Sequence, residues 1–320
     1  SIVIMEIIKT KCCKRLYKKG LIKIIIFFFI IIFIIFIGIS VYVGINLTSP
    51  KREVLKNTPK DLGLIYEDIS FKSKLDGVTL KGWWIPAQSN ENIKSTRKTI
   101  IFSHGYGNNR GLYKISVINL AKKLASEGYN VLTFDFRACG ESEGKYVTIG
   151  GMEKYDLLGA INFAKNEKYS ETIDLMGWSM GAVTSILVAS ESNDVQAVIA
   201  DSPFGNLEDY LEENLSYWSH LPNFFFTKTI LYTLPKIRKF NIDEVDAIKA
   251  VQKLNNKKIF LIHSKDDDAI PCSNSEKIYN AIQDKKNAKI WYTSKAKHIK
   301  SYSLYKDEYE KKVIDFLKEY

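Results

Sequence analysis

The sequence predicts an α/β protein, built on a mostly parallel sheet with helices on both faces and preceded by one apolar helix long enough to cross a membrane. Three observations carry this. From residue 99 onward, short β-branched runs alternate with segments of helical spacing, the pattern that gives strand–helix–strand units. The runs are continuous in apolar character, which suits strands covered on both sides. Near the N-terminus, residues 24–45 form 22 uncharged positions, 18 of them Ile, Phe or Val.

Taken in order, residues 1–23 hold seven bases and one acid, a net of +6, while the other 297 residues contribute +4 to the total of +10. The basicity is a local tag, so the charge calls for no nucleic-acid surface. The span at 24–45 rises about 33 Å as a helix, enough for a bilayer core. It is longer than the apolar part of a signal peptide and no small-residue cleavage site follows it, so it reads as a retained anchor. Basic flanks stay cytoplasmic, which places residues 1–23 inside and the rest of the chain on the extracytoplasmic side. Cys12 and Cys13 lie on the cytoplasmic flank, either as free thiols or as acylation sites. Cys139 and Cys272 are too few for a disulfide framework, and no Cys/His cluster has metal-ligand spacing.

Residues 46–64 are polar, contain two prolines and read as a stalk. The stretch 65–87 has two β-rich runs around Leu75-Asp-Gly77, a hairpin pattern, and opens the main domain at 65–320. The apolar runs 99–103, 131–136, 173–176, 197–200, 258–263 and 289–292 are the predicted strands. Helical spacing joins Ile115, Ile118, Ala121 and Leu124 in one connection and Leu158, Ile161 and Ala164 in another. The interval 201–255 exceeds one crossover, and its middle, 217–235, is rich in aromatics. It is either a small cap over a site, spanning about 205–240, or a helix pair completing the core.

The stretch "GWSMG", 177–181, follows one apolar run and opens another, the strand-to-helix setting of a nucleophile elbow. A serine hydroxyl needs a base, and the base an orienting acid. Of the histidines after Ser179, His220 lies in the aromatic insertion and His263 within a strand. His298 follows the last strand and precedes the last helix, so it is the candidate base. The stretch "HSKDDDAIP", 263–271, offers three acids, and Asp201 occupies the loop position before them.

These motifs and their order resemble the α/β-hydrolase superfamily over residues 65–320. Its acid loop reads H-G-x-x-D-x-x-[IV]-P, and aligning His263 and Ile270-Pro271 with it selects Asp267, with Ser264 in place of the glycine. The resemblance leaves Asp266 and Asp268 as solvated neighbours. It further implies an oxyanion hole made by the backbone N–H groups of Tyr106, in "HGYGNNR", and Met180, with His104 a structural residue of the turn. The loop "DFRACGESEG", 135–144, is similar to a site-shaping loop of the same enzymes, with Ala138 replacing a glycine. The nearer likeness is to membrane-anchored relatives of dipeptidyl-aminopeptidases and acylaminoacyl-peptidases. What the resemblance implies is a membrane-anchored serine hydrolase that cleaves an ester or thioester of a small-molecule or lipid acyl group without a cofactor. A peptidase of the same fold and a catalytically silent tethered module are the rivals.

Overall fold

The computed structural model describes the backbone of residues 2–319, and the side chains of 13–319 other than 223–225. Cys12 thus lies outside the described side chains; Cys13, Cys139 and Cys272 are free thiols.

The chain opens with α1, Ile2–Leu47, a single 46-residue helix whose segment Cys13–Leu47 is long and apolar enough to cross a membrane. The hairpin β1 (Glu67–Lys72) and β2 (Thr79–Ile85) follows, then a two-residue ribbon of β3 (Gln88–Ser89) and β4 (Asn92–Ile93), then β5 (Lys98–Ser103). After them come α2 (Val117–Ser126), β6 (Asn130–Phe134), α3 (Glu153–Asn166), β7 (Thr172–Trp178), α4 (Met180–Glu191) and β8 (Val195–Asp201). The insertion forms α5 (Leu207–Ser219), α6 (Asn223–Arg238) and the short α7 (Ala247–Val251). The chain closes with β9 (Lys258–Ser264), α8 (Ser273–Ala281), β10 (Ala288–Thr293), α9 (Ser301–Leu304) and α10 (Lys306–Leu317).

Eight strands form one sheet in the order β1-β2-β6-β5-β7-β8-β9-β10. The first hairpin is antiparallel and pairs antiparallel to β6; from β6 to β10 every pairing is parallel. Parallel strands need both faces covered, and the core accordingly divides in two. One cluster joins the sheet to α3, α4 and the insertion through Leu157, Val183 and Leu211; the other joins it to α2 and α10 through Leu120 and Val313. The chain leaves β5 toward β6 and returns on the other side to β7. A crevice opens beyond the carboxyl ends at such a reversal, and the loops after β5 and β7 both end there.

All six runs become strands of this sheet, and the β1–β2 hairpin forms as the sequence predicts. The β3–β4 ribbon escapes prediction because it is short and polar. The insertion packs on the sheet and also borders a pocket. Leu211, Leu215, Ile230 and Leu234 pack into the core, and α5 and α6 also wall a pocket. The stalk differs most from expectation. Residues 48–58 lie along the main domain, because hydrogen bonds run between the two in both directions. Arg52 donates to the carbonyls of Cys139, Ser142 and Gly144, Asn109 Nδ2 donates to the Glu53 carbonyl at 2.9 Å, and Val147 N donates to the Thr48 carbonyl at 2.8 Å.

Candidate active site

At Ser179 the chain turns from β7 into α4 within one residue, at φ 55 and ψ −119. A side chain rarely adopts this region, so the neighbours must fix it. Ser179 N donates to the Asp201 carbonyl at 2.8 Å, and the amides of Ala182 and Val183 donate to its own carbonyl. The flanking glycines are steric requirements. A Cβ at Gly177 would stand 2.2 Å from the Gly181 carbonyl oxygen, and one at Gly181 would stand 2.0 Å from that of Ser103.

The loop after β10 brings His298 to this elbow. Its Nδ1 lies 2.8 Å from Asp267 Oδ2 and its Nε2 lies 2.9 Å from Ser179 Oγ. An ionised carboxylate only accepts, so Nδ1 carries the proton and Nε2 accepts from the serine hydroxyl. The Asp267 side chain is fully buried. Its Oδ1 accepts the amides of Ala269 and Ile270 at 2.9 and 2.8 Å. Burial opposes its ionisation, but the hydrogen bonds from His263 and His298 and the Ile270 amide outweigh it and hold the carboxyl well below the usual carboxylate range.

Three neighbours make contacts that the sequence reading did not foresee. His263 Nε2 donates to the Ile270 carbonyl at 2.8 Å and lies 3.3 Å from Asp267 Oδ2, while Nδ1 takes the Ser275 hydroxyl at 2.6 Å. It therefore braces the acid, and its place in the H-x-x-x-D spacing was the available signal. Asp266 and Asp268 are exposed, as expected of solvated neighbours, and they also grip the opposite loop by accepting from Lys295 N at 2.5 Å and His298 N at 3.2 Å. A peptide N–H needs an acceptor, and these carboxylates are the ones within reach of that loop.

The remaining candidates fall elsewhere. Asp201 accepts from Tyr309 and Ser202. His220 ends α5 in a left-handed, exposed turn. His104 Nδ1 donates to the Gly105 carbonyl at 2.7 Å and Nε2 accepts from Phe136 N at 3.0 Å. Burial lowers its pKa to about 4, so it is a neutral brace of the β5 loop, as the sequence reading has it. The 135–144 loop is held by Asp135, which accepts from Arg110 N and Glu141 N. Arg137 ties the same loop to Asp156 at 2.7 Å.

Beside Ser179 lies a pocket of about 560 Å³, counting its open mouth. Tyr106 and Met180 border it at the serine, and Leu211, Leu215, Trp218 and Leu234 of the helix pair wall it, together with Leu47 at the end of α1. Among the described residues that line it, none is charged. Tyr106 OH donates to the Leu47 carbonyl at 2.6 Å, and Trp218 Nε1 donates to Tyr210 OH, which donates to Ala269 O in the acid loop.

Comparison with known proteins agrees with this architecture. The family model described as serine aminopeptidase, S33 matches residues 94–239. The uncharacterized protein YqkD of Bacillus subtilis is 32% identical over 245 residues, 75% of this chain and 76% of its own. The esterase Pf2001 of Pyrococcus furiosus superposes with a TM-score of 0.68 at 31% identity, over 85% of this chain and 99% of its own. The chain belongs to the α/β-hydrolase superfamily. Within it, lysophosphatidylserine lipase ABHD12 of Bos taurus is 27% identical over 212 residues, 62% of this chain and 50% of that protein. Among α/β-hydrolases, then, this is an esterase- and lipase-like hydrolase.

Proposed function

We propose that this α/β-hydrolase cleaves carboxylic esters or thioesters of acyl groups through a covalent acyl-enzyme. Its main domain is residues 65–320, tethered by the 24–45 span with residues 1–23 on the cytoplasmic side. The carrying observation is the unbroken hydrogen-bond chain Ser179–His298–Asp267 opening on an apolar pocket. Ser179 Oγ attacks the acyl carbonyl as His298 Nε2 takes its proton, and Asp267 orients the ring and stabilises the imidazolium. The carbonyl electrons move onto oxygen, facing the amides of Tyr106 and of Met180. The latter amide is free at the first turn of α4, and donors so placed are worth about 3–4 kcal/mol each. Collapse expels the alcohol or thiol, which takes the proton from His298. Water, deprotonated by the same imidazole, then releases the acid.

The lining favours an acyl chain over a peptide, since no charged side chain among the described residues faces the pocket to hold a peptide terminus. Ser179→Ala in the full chain tests the reading. Turnover of p-nitrophenyl butyrate and labelling by a fluorophosphonate should both vanish with the fold retained. Turnover within tenfold of the parent chain refutes it.

A further inference from the structure

The upper end of α1 does not stand free. Phe36 stacks on Phe226 at 4.6 Å, a Cβ on Gly44 would lie 3.3 Å from Leu234, and Arg238 Nε donates to Thr48 Oγ1 at 2.7 Å. All three pairs share one offset, 190 positions, so α6 runs parallel to the last three turns of α1 and in step with them. The unbroken run of exposed side chains in the apolar stretch is Ile24–Ile35, and half-buried or buried positions interrupt it from Phe36 onward. Those 12 residues rise about 18 Å, against about 30 Å of hydrocarbon.

Two placements in a bilayer follow. Keeping α6 dry sets the upper boundary at Ile35, and about 20 residues below it lies Arg15. That buries Lys18, Lys19 and Lys23 in hydrocarbon, where each charge is costly. Setting the boundaries instead at Lys23 and Tyr42 gives 19 residues, about 29 Å. The second placement has support at its upper edge. Tyr42 and, at the same level on α6, Tyr232 are each 67% exposed, an aromatic pair where interfacial rings belong. Just above them Lys236 and Arg238 end α6, at the height of lipid phosphates. Lys228, exposed four residues below Tyr232, can extend its stem upward.

We propose that the α5–α6 hairpin is a membrane wedge. Its bend and first turns occupy the hydrocarbon of the leaflet on the catalytic side, and acyl chains pass from that leaflet between α1, α5 and α6 to Ser179. The pocket supplies the second half of this, since Leu47, Leu215 and Leu234, one from each of those helices, wall it. The substrate class is therefore a bilayer-resident amphiphile with a long acyl chain. The feeding step rests on the hydrolase reading above; the wedge does not.

The test uses the full chain in vesicles of phosphatidylcholine with a minority of phosphatidylglycerol. Cys12, Cys13 and Cys272 are replaced by Ser, and the buried Cys139 is left in place. A nitrobenzoxadiazole label is attached through Pro222→Cys, at the exposed head of α6, or through Lys311→Cys on α10 as the aqueous control. The label at 222 should be quenched by nitroxide lipids and shielded from iodide, and the label at 311 should show the reverse. Pro222→Asp with Lys228→Asp should lower turnover of a vesicle-borne oleoyl ester at least tenfold and leave soluble p-nitrophenyl butyrate within twofold. Iodide quenching at 222 equal to that at 311 overturns the wedge. Unchanged turnover of the oleoyl ester overturns the feeding route. If the unsubstituted chain is inert on both esters while the label at 222 is quenched by lipid, the hydrolase reading is refuted and the wedge stands.

Discussion

Asp267→Asn separates the orienting role of this carboxylate from its structural one. Asp267 accepts four donors: the Ala269 and Ile270 amides on Oδ1, and His298 Nδ1 at 2.8 Å with His263 Nε2 at 3.3 Å on Oδ2. An asparagine that keeps its oxygen toward the two amides turns an NH2 group toward both imidazoles. His263 loses little, because its Nε2 still donates to the Ile270 carbonyl at 2.8 Å. Among the described residues His298 Nδ1 has no such second acceptor, so it meets the NH2 by moving its proton to Nε2, where it can no longer accept from Ser179. Replacing this acid by its amide lowers kcat about 10⁴-fold in triad enzymes, about 5 kcal/mol of barrier. The cost to the fold is one poorly met donor, about 1–3 kcal/mol. The expected result is therefore a loss of 10³–10⁴ in kcat for p-nitrophenyl butyrate, with KM little changed and the urea midpoint only modestly lower. A loss smaller than about tenfold refutes the reasoning, for it means that another group, Asp268 being nearest the His298 amide, sets the tautomer.

The other predictions concern pH and chain length. His104 is fully buried with its pKa lowered to about 4, against about 6.5 in the unfolded chain, so between those values the unfolded state binds more protons and stability falls with acid. The loss attributable to His104 is about 2 kcal/mol from pH 7 to pH 5, and His104→Gln should flatten that part of the profile of urea midpoints; an equal acid slope in the variant removes His104 as its source. Leu47→Trp should narrow the pocket wall that α1 supplies. Displacing two or three methylenes at about 0.8 kcal/mol each lowers kcat/KM for an octanoyl ester roughly 30-fold, leaving the acetyl ester within twofold. Equal changes for both chain lengths would show that acyl groups do not reach Leu47.

How much of this was legible in the sequence follows from the range of the interactions concerned. The strands announce themselves through local runs such as 258–263, and the elbow at Ser179 through two glycines whose Cβ atoms would strike carbonyls. Chain order points to His298, the acid-loop motif of the resembled superfamily points to Asp267 among three acids, and the structure sets both within 3 Å of their partners. What stayed hidden lies in long-range pairing. Nothing local to Asp266 or Asp268 marks them as acceptors for amides 29 and 30 positions away. Polar residues 48–58 look like a free stalk until the carbonyls of 139–144 are placed beside Arg52. Leu47 carried no signal at all, because one apolar residue at the end of an apolar helix says nothing about which face meets a pocket.

That last residue links the two halves of the molecule. Leu47 ends the apolar helix and walls the pocket, and its carbonyl accepts the hydroxyl of Tyr106. Tyr106 is also the residue whose amide faces the developing oxyanion in the proposed reaction. Thr48, next to Leu47 in the chain, receives Arg238 from the end of α6 while its own carbonyl receives Val147 N. A helix serving only as a tether would need none of these contacts, since a flexible polar linker holds a domain near a surface equally well. Here the linker is fastened at both sides of the pocket mouth, so the direction of the helix and the direction of the mouth are fixed relative to each other. In the proposed reading, rigid coupling of this kind orients the site toward the membrane rather than merely keeping it close, and it makes the helix part of the wall that receives the acyl chain.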